Sequence, residues 1–175
     1  NKGDALMVNV RIIEIPILII RIDSLASASG PRLIRDSGAA VRIITGSRRG
    51  RKLKTLPGDA VRPTPDRVKE ALFNILQFDL EGRVFLDLFA GSGQIGLEAL
   101  SRGAKRAVFV DSAKASCGVV LENIHTTGFE NEAQVMNAEY ASYLLRCTET
   151  FDIALRAPPY RPGKRTTARP ADTPH

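Results

Sequence analysis

The sequence predicts an α/β fold with a parallel, doubly wound sheet. Three observations predict it. From Val84 to Arg156, short apolar runs alternate with helical patterns, as parallel strands joined by right-handed crossovers require. One of these runs, Val84 to Leu88, enters a tight glycine turn, Gly91-Ser92-Gly93, and then a helix. The next run, "RAVFVD", ends on an acid, Asp111.

The bounds are those of one ordinary domain, expected to act as a monomer. The chain has 175 residues, of which 43% are hydrophobic, enough for a core. Net charge is unevenly spread: +1 over residues 1–40, +7 over 41–69, −5 over 70–160 and +3 over 161–175. A short basic block of this kind suits a polyanion, although a merely solvated basic surface has the same composition. Cys117 and Cys147 lack metal-ligand spacing and read as buried, reduced thiols of a cytoplasmic protein. His125 and His175 are isolated, so no metal site and no histidine-based triad is expected.

The elements follow in order. Residues 1–40 form an atypical extension. Its apolar stretch, Met7 to Ile22, is broken by Arg11, Glu14 and Pro16. That makes a poor membrane span and a poor signal peptide, despite the Ala26-Ser27-Ala28 pattern behind it. A strand-like or poorly ordered segment is expected. Residues 41–62 read as a basic hairpin or arm, with Arg48, Arg49, Arg51, Lys52 and Lys54 after a turn at Thr45-Gly46-Ser47.

Residues 63–160 carry the main domain. Thr64 can cap a helix, with Pro65 in its first turn and Asp66 at the positive end of its dipole. In "DRVKEALFNILQ", Val68, Leu72, Ile75 and Leu76 share an apolar face, and Arg67, Glu70 and Asn74 share a polar one. That polar row reads equally as a solvated face or a ligand-facing one. After the glycine turn, Gln94 to Arg102 is helical and stops at Gly103. The stretch from Ser112, a possible cap, to Gly128 is a helix containing Gly118, which costs about 1 kcal/mol relative to alanine. Ala133 to Ala138 is a strand, "EYASYLLRC" a short helix and "FDIALRA" another strand. Residues 161–175 are polar, contain Pro162, Pro170 and Pro174, and are expected to be disordered.

Strand, glycine turn and helix together aim backbone N–H groups at a ligand. Asp111 lies 18 residues after Gly93, the distance that brings an acid to the next strand tip to grip ribose hydroxyls. Gly91, Gly93 and Gly96 match the dinucleotide pattern, which several cofactors share. Asp87, four residues before Gly91, separates the candidates. A carboxylate there opposes a pyrophosphate and suits a sulfonium or an α-amino group. S-adenosylmethionine is therefore favoured over NAD, and a methyltransferase over an oxidoreductase. The plainer account makes Asp87 a capping or turn residue.

Residues 41–160 resemble the RsmD-type family, which methylates the exocyclic N2 of a guanine in small-subunit (16S) ribosomal RNA. The stretches that carry the resemblance are "VRIITGSRRGRKLKTLPG", "RPTPDRVKEALFNIL", "DLFAGSGQIGLEALSRGA", "VFVD" and "PPY". The resemblance implies a class I, Rossmann-like, S-adenosylmethionine-dependent methyltransferase of the cytoplasm with ribosomal RNA as its partner. It implies cofactor contacts from Asp87, Ala90, Gly91, Gly93 and Asp111, with Asn137 and Ala138 near the adenine. Arg67 and Asn74 would help close the pocket, and the arm would hold RNA. The catalytic segment would be Ala157, Pro158, Pro159 and Tyr160.

Three departures from the family stand out. The acid usual before "PPY" is Ala157, with Arg156 before it. Asn137 replaces an acid near the adenine. The family's sheet continues with further strands after "PPY", where this chain has a polar tail, so a truncated sheet with an open edge beside the fourth strand is expected. The departure at Ala157 bears on chemistry. A guanine N2 lone pair is delocalised into the ring and needs an acceptor beside the amine to free it for attack. A backbone carbonyl of the Pro-Pro turn can supply one acceptor, and Tyr160 can stack on the extruded base. Losing the side-chain acceptor costs about a hundred- to a thousandfold in rate, by analogy with other transition-state hydrogen bonds. A catalytically dead, RNA- or cofactor-binding chain is the alternative.

Overall fold

The computed structural model describes residues 11–14, 41–56, 64 and 66–156. The rest of the N-terminal extension, residues 57–63 with the end of the arm, Pro65, the Ala157–Tyr160 segment and the tail at 161–175 lie outside the described residues, as do the expectations placed on them.

Among the described residues five strands form one sheet: β1 (Arg11–Glu14), β2 (Val84–Asp87), β3 (Arg106–Asp111), β4 (Ala133–Asn137) and β5 (Ile153–Arg156). The described residues also form four helices: α1 (Asp66–Leu76), α2 (Gln94–Ser101), α3 (Lys114–Thr127) and α4 (Tyr140–Arg146). The strand order is β1-β5-β2-β3-β4, and every pairing is parallel. The doubly wound α/β reading therefore holds. The edge of β5 expected to be open is occupied. β1 pairs along it from Arg11 opposite Ile153 to Glu14 opposite Arg156. The apolar run in the extension is interrupted by polar residues but still supplies a strand, because edge pairing needs only a short extended backbone.

Alternation along the strands builds two cores. Phe85, Ala107, Phe109, Ile153 and Leu155 face one side, against α1, α2 and α3. Leu86, Val108, Val110 and Ala154 face the other, where Tyr143 of α4 packs. A strand buried on both faces reads as a continuous apolar run, which is the texture of "RVFLD" and "RAVFVD".

Several local expectations are corrected. In α1 the buried face is Lys69, Leu72, Phe73 and Leu76, and Ile75 is 63% exposed. Lys69 takes the inner position because its ammonium is satisfied there, donating to the Arg42 carbonyl at 2.8 Å and pairing with Asp66 at 3.2 Å. Ser112 does not cap α3. The N-cap is Ala113, which has no side-chain bond, and its N–H is taken by Asp111 Oδ1 at 2.9 Å. Gly128 does end α3, at φ 70. Both cysteines are free, but only Cys117 is buried and Cys147 is half-exposed.

The described part of the basic arm, residues 41–56, is packed down on the domain. Arg42 and Lys52 form an antiparallel bridge, and Ile43 and Leu53 enter the main core. Fully buried Glu98 of α2 accepts the N–H groups of Ile44 at 2.8 Å and Thr45 at 2.9 Å, and pairs with Arg102 at 2.9 Å. Ser101 Oγ donates to the Thr45 carbonyl at 2.6 Å and accepts the Arg48 N–H at 3.0 Å. Gly46 is required at this contact. Its φ is +89, and a Cβ there would lie 1.8 Å from the Ser101 carbonyl oxygen. These polar bonds explain why all of α2 is buried: its outer face is covered by the arm.

Candidate active site

Parallel pairing brings the C-terminal strand ends together. Asp87 is level with Phe109 on β3 and Leu155 on β5, and Asp111 is level with Asn137 on β4. The chain then turns at Gly91 (φ 55) and Gly93 (φ 77), conformations that favour glycine. Gly96 serves packing, since a Cβ there would lie 2.3 Å from the Phe109 ring. That close approach lets α2 start directly over the strand tips.

Asp111 organises the turn. Its Oδ2 accepts the Gly91 N–H at 2.9 Å and its Oδ1 that of Ala113. Ala90 donates to the Val110 carbonyl at 3.1 Å, and Gly93 to the Ala90 carbonyl at 2.7 Å. Asn137 Nδ2 reaches the carbonyls of Asp111 at 2.9 Å and Ser112 at 3.0 Å, and Ala138 donates to the Asp111 carbonyl at 3.1 Å. Asp87, Ala90, Gly91, Gly93, Asp111, Asn137 and Ala138 thus form one cluster at the sheet's carboxyl edge, where open α/β sheets bind ligands. The thiol of Cys117, beside the Asp111 carbonyl at 3.5 Å, joins it. Burial, aided by the Asp111 charge, raises that thiol's pKa, so it stays protonated.

Asp87 is 2% exposed. Burial pushes its pKa up to about 7, against hydrogen bonds from the backbone of Phe89 and Gly96 that pull it down, and the Asp111 charge adds to the rise. Among the described residues no cation pairs with it. At the same turn, buried Gln94 Oε1 has no hydrogen-bond partner. A ligand with a cationic amino group would satisfy both demands, and a pyrophosphate neither. The residues present therefore fit S-adenosylmethionine.

Arg67 and Asn74 lie exposed on α1. Of the arm's cations, Arg49, Arg51 and Lys52 are exposed. Arg48 is turned inward: Nε donates to the Thr127 carbonyl at 2.7 Å and the guanidinium lies 5.1 Å from the Phe129 ring centre. Lys54 pairs with Glu122. Arg156, the last residue described before the Pro-Pro segment, lies over the Tyr140 ring at 5.3 Å. The residues that sequence reasoning missed are Lys69, Gln94, Glu98, Ser101 and Asn123. The one available signal was a lone acid, Glu98, inside the otherwise apolar "IGLEAL". Among the described residues no group of His, Cys, Asp and Glu could hold a metal, and no helix is long and apolar enough to cross a membrane.

A parallel sheet with a glycine turn at one central strand tip and an acid at the next defines a Rossmann-like fold, with the sheet and helices of a class I methyltransferase. The chain belongs to the family described as Conserved hypothetical protein 95, whose model matches residues 41–169, the RsmD family. It is 42% identical over 123 residues to the ribosomal RNA small subunit methyltransferase D of Haemophilus influenzae, covering 69% of this chain and 64% of that protein. The Escherichia coli K12 protein of the same name is 41% identical over 123 residues, covering 70% and 62%. The chain thus spans less than two-thirds of the length of either relative. Its fold is also similar to the solved structure "Putative methyltransferase yhhF from Escherichia coli", with a TM-score of 0.63 at 39% identity, covering 71% of this chain and 66% of that one.

Proposed function

We propose that the chain binds S-adenosylmethionine at the strand tips and methylates the exocyclic N2 of a guanine in 16S ribosomal RNA. The observation that carries this reading is the buried Asp87 carboxylate, placed beside the glycine turn with no cation among the described residues paired to it. When bound, the cofactor supplies a methyl group on a sulfonium. Asp87 would take its α-amino group. Asp111 would accept a ribose hydroxyl, for which its oxygens keep spare lone pairs beyond the two N–H groups they hold. Arg67 and Asn74 would close over the pocket. Arg49, Arg51 and Lys52 would meet phosphates, while Arg48 and Lys54 would serve mainly to hold the arm. The reading implies a monomer acting in the cytoplasm.

One residue favours a second reading. Ala157 offers no side-chain acceptor to the target amine, so a chain that binds RNA and cofactor without transfer fits that position. The test is transfer of labelled methyl from S-adenosylmethionine to unmodified small-subunit RNA, with the product nucleosides identified. The expected result is weak labelling of guanine N2 that rises in Ala157→Asp, toward the hundred- to thousandfold roughly attributed to such an acceptor. Label on another atom would overturn the N2 assignment. Cofactor and RNA binding with no labelling in either form would favour the second reading.

A further inference from the structure

Asn123 lies within α3 and is fully buried. Its amide is shared between two segments. Oδ1 accepts the Lys54 N–H at 2.7 Å, and Nδ2 donates to the Lys54 carbonyl at 2.9 Å and to the Ser92 carbonyl at 2.8 Å. Lys54 belongs to the basic arm, and Ser92 is the central residue of the glycine turn.

The chemistry suits a link rather than a filler. A short side chain with both a donor and an acceptor is needed. Aspartate would keep the acceptor and lose the donor, and an apolar residue would lose both. The Asn123 side chain is buried, its bond to Ser92 fully so and its two bonds to Lys54 partly so, so a shift of the turn or the arm must move Asn123 or leave its buried amide unsatisfied. The same helix ties the arm at two other points, Thr127 to Arg48 and Glu122 to Lys54. On its other side the turn is held by Asp111 through Gly91. By contrast, Glu98 holds the arm but touches no residue of the turn among its hydrogen bonds.

We infer that Asn123 is a positioning residue that couples the arm to the glycine turn, so that RNA on the arm and cofactor at the turn strengthen each other's binding. The inference rests on the reading under Proposed function. Such coupling is reciprocal: each ligand must improve the other's affinity by the same factor.

The experiment uses the full chain with S-adenosylhomocysteine and unmodified small-subunit RNA. The affinity of each is measured alone and with the other saturating. The parent should show mutual strengthening of about tenfold, equal in both directions. In Asn123→Asp, each ligand alone should bind within about threefold of the parent, while the mutual factor falls to about one. Undiminished coupling in the folded variant, or none in the parent, overturns the inference. If the parent binds neither ligand alone, the functional reading itself fails, and the coupling with it. If Asn123→Asp does not fold, amide exchange at Lys54 in the parent decides. Slowing on addition of S-adenosylhomocysteine supports the link, and an unchanged rate overturns it.

Discussion

Burying the Asp87 carboxylate at the end of β2 raises its pKa from the ordinary 3.8 to about 7, because the charged form loses its water. The native chain then holds a proton that the unfolded chain has released between those values. Stability from this group is therefore greatest below about pH 4 and falls as pH rises through 7, by about 4 kcal/mol in total. Asp87→Asn should abolish that slope. Urea unfolding should find the variant little changed relative to the parent at pH 4 and more stable at pH 8. Cofactor binding should change in the opposite sense, tightening with pH up to about 7 in the parent and weak at every pH in the variant. A parent and variant with parallel stability profiles would show that Asp87 is not buried as described. The position of Asp87 was legible because one acid at an apolar strand end has few other uses. Lys69 and Asn123 were not, because a polar side chain in a helix looks solvated until its partners on distant segments are known.

At the scale of elements, the alternation of runs and glycine stops located the strands and helices of the main domain. The arm was legible as basic and hairpin-like, but not as docked. Its anchors on α2 and α3 lie far away in sequence, and Ile43 and Leu53 look like ordinary hairpin residues. The inner face of α1 was misassigned at Ile75 because Lys69 could not be recognised as a satisfied buried cation. Gly118 offers a test of local energetics. It is exposed within α3, and a Cβ there would meet nothing within 4 Å. Gly118→Ala should stabilise the chain by about 0.5–1 kcal/mol through backbone entropy alone. Thermal unfolding checks it, and a lowered midpoint would mean that this turn of α3 is not regular helix.

Over the whole molecule, charge and topology separate into two regions. The excess of +7 over residues 41–69 contrasts with −5 over residues 70–160, and the exposed cations of the arm carry part of that excess. Replacing Arg49, Arg51 and Lys52 with alanine should weaken binding to small-subunit RNA. It should also flatten the dependence of affinity on salt by about 2 in the log–log slope, at roughly 0.7–0.9 per phosphate contact. An unchanged slope would remove the arm from the RNA interface. At one edge of the sheet, β1 covers β5 with backbone from a segment that the family resemblance did not reach, and composition left a strand-like or a poorly ordered segment equally open.

The claim on which the rest depends is that the cluster at the strand tips takes S-adenosylmethionine. Calorimetry tests it most directly, with S-adenosylmethionine and NADH titrated separately into the parent chain and into Asp111→Ala. The parent should bind S-adenosylmethionine and not NADH. The variant should bind S-adenosylmethionine more weakly by about 1.5–3 kcal/mol, the worth of a charge-assisted hydrogen bond to a ribose hydroxyl. Binding of NADH in preference, or equal S-adenosylmethionine affinity in parent and variant, would contradict the account.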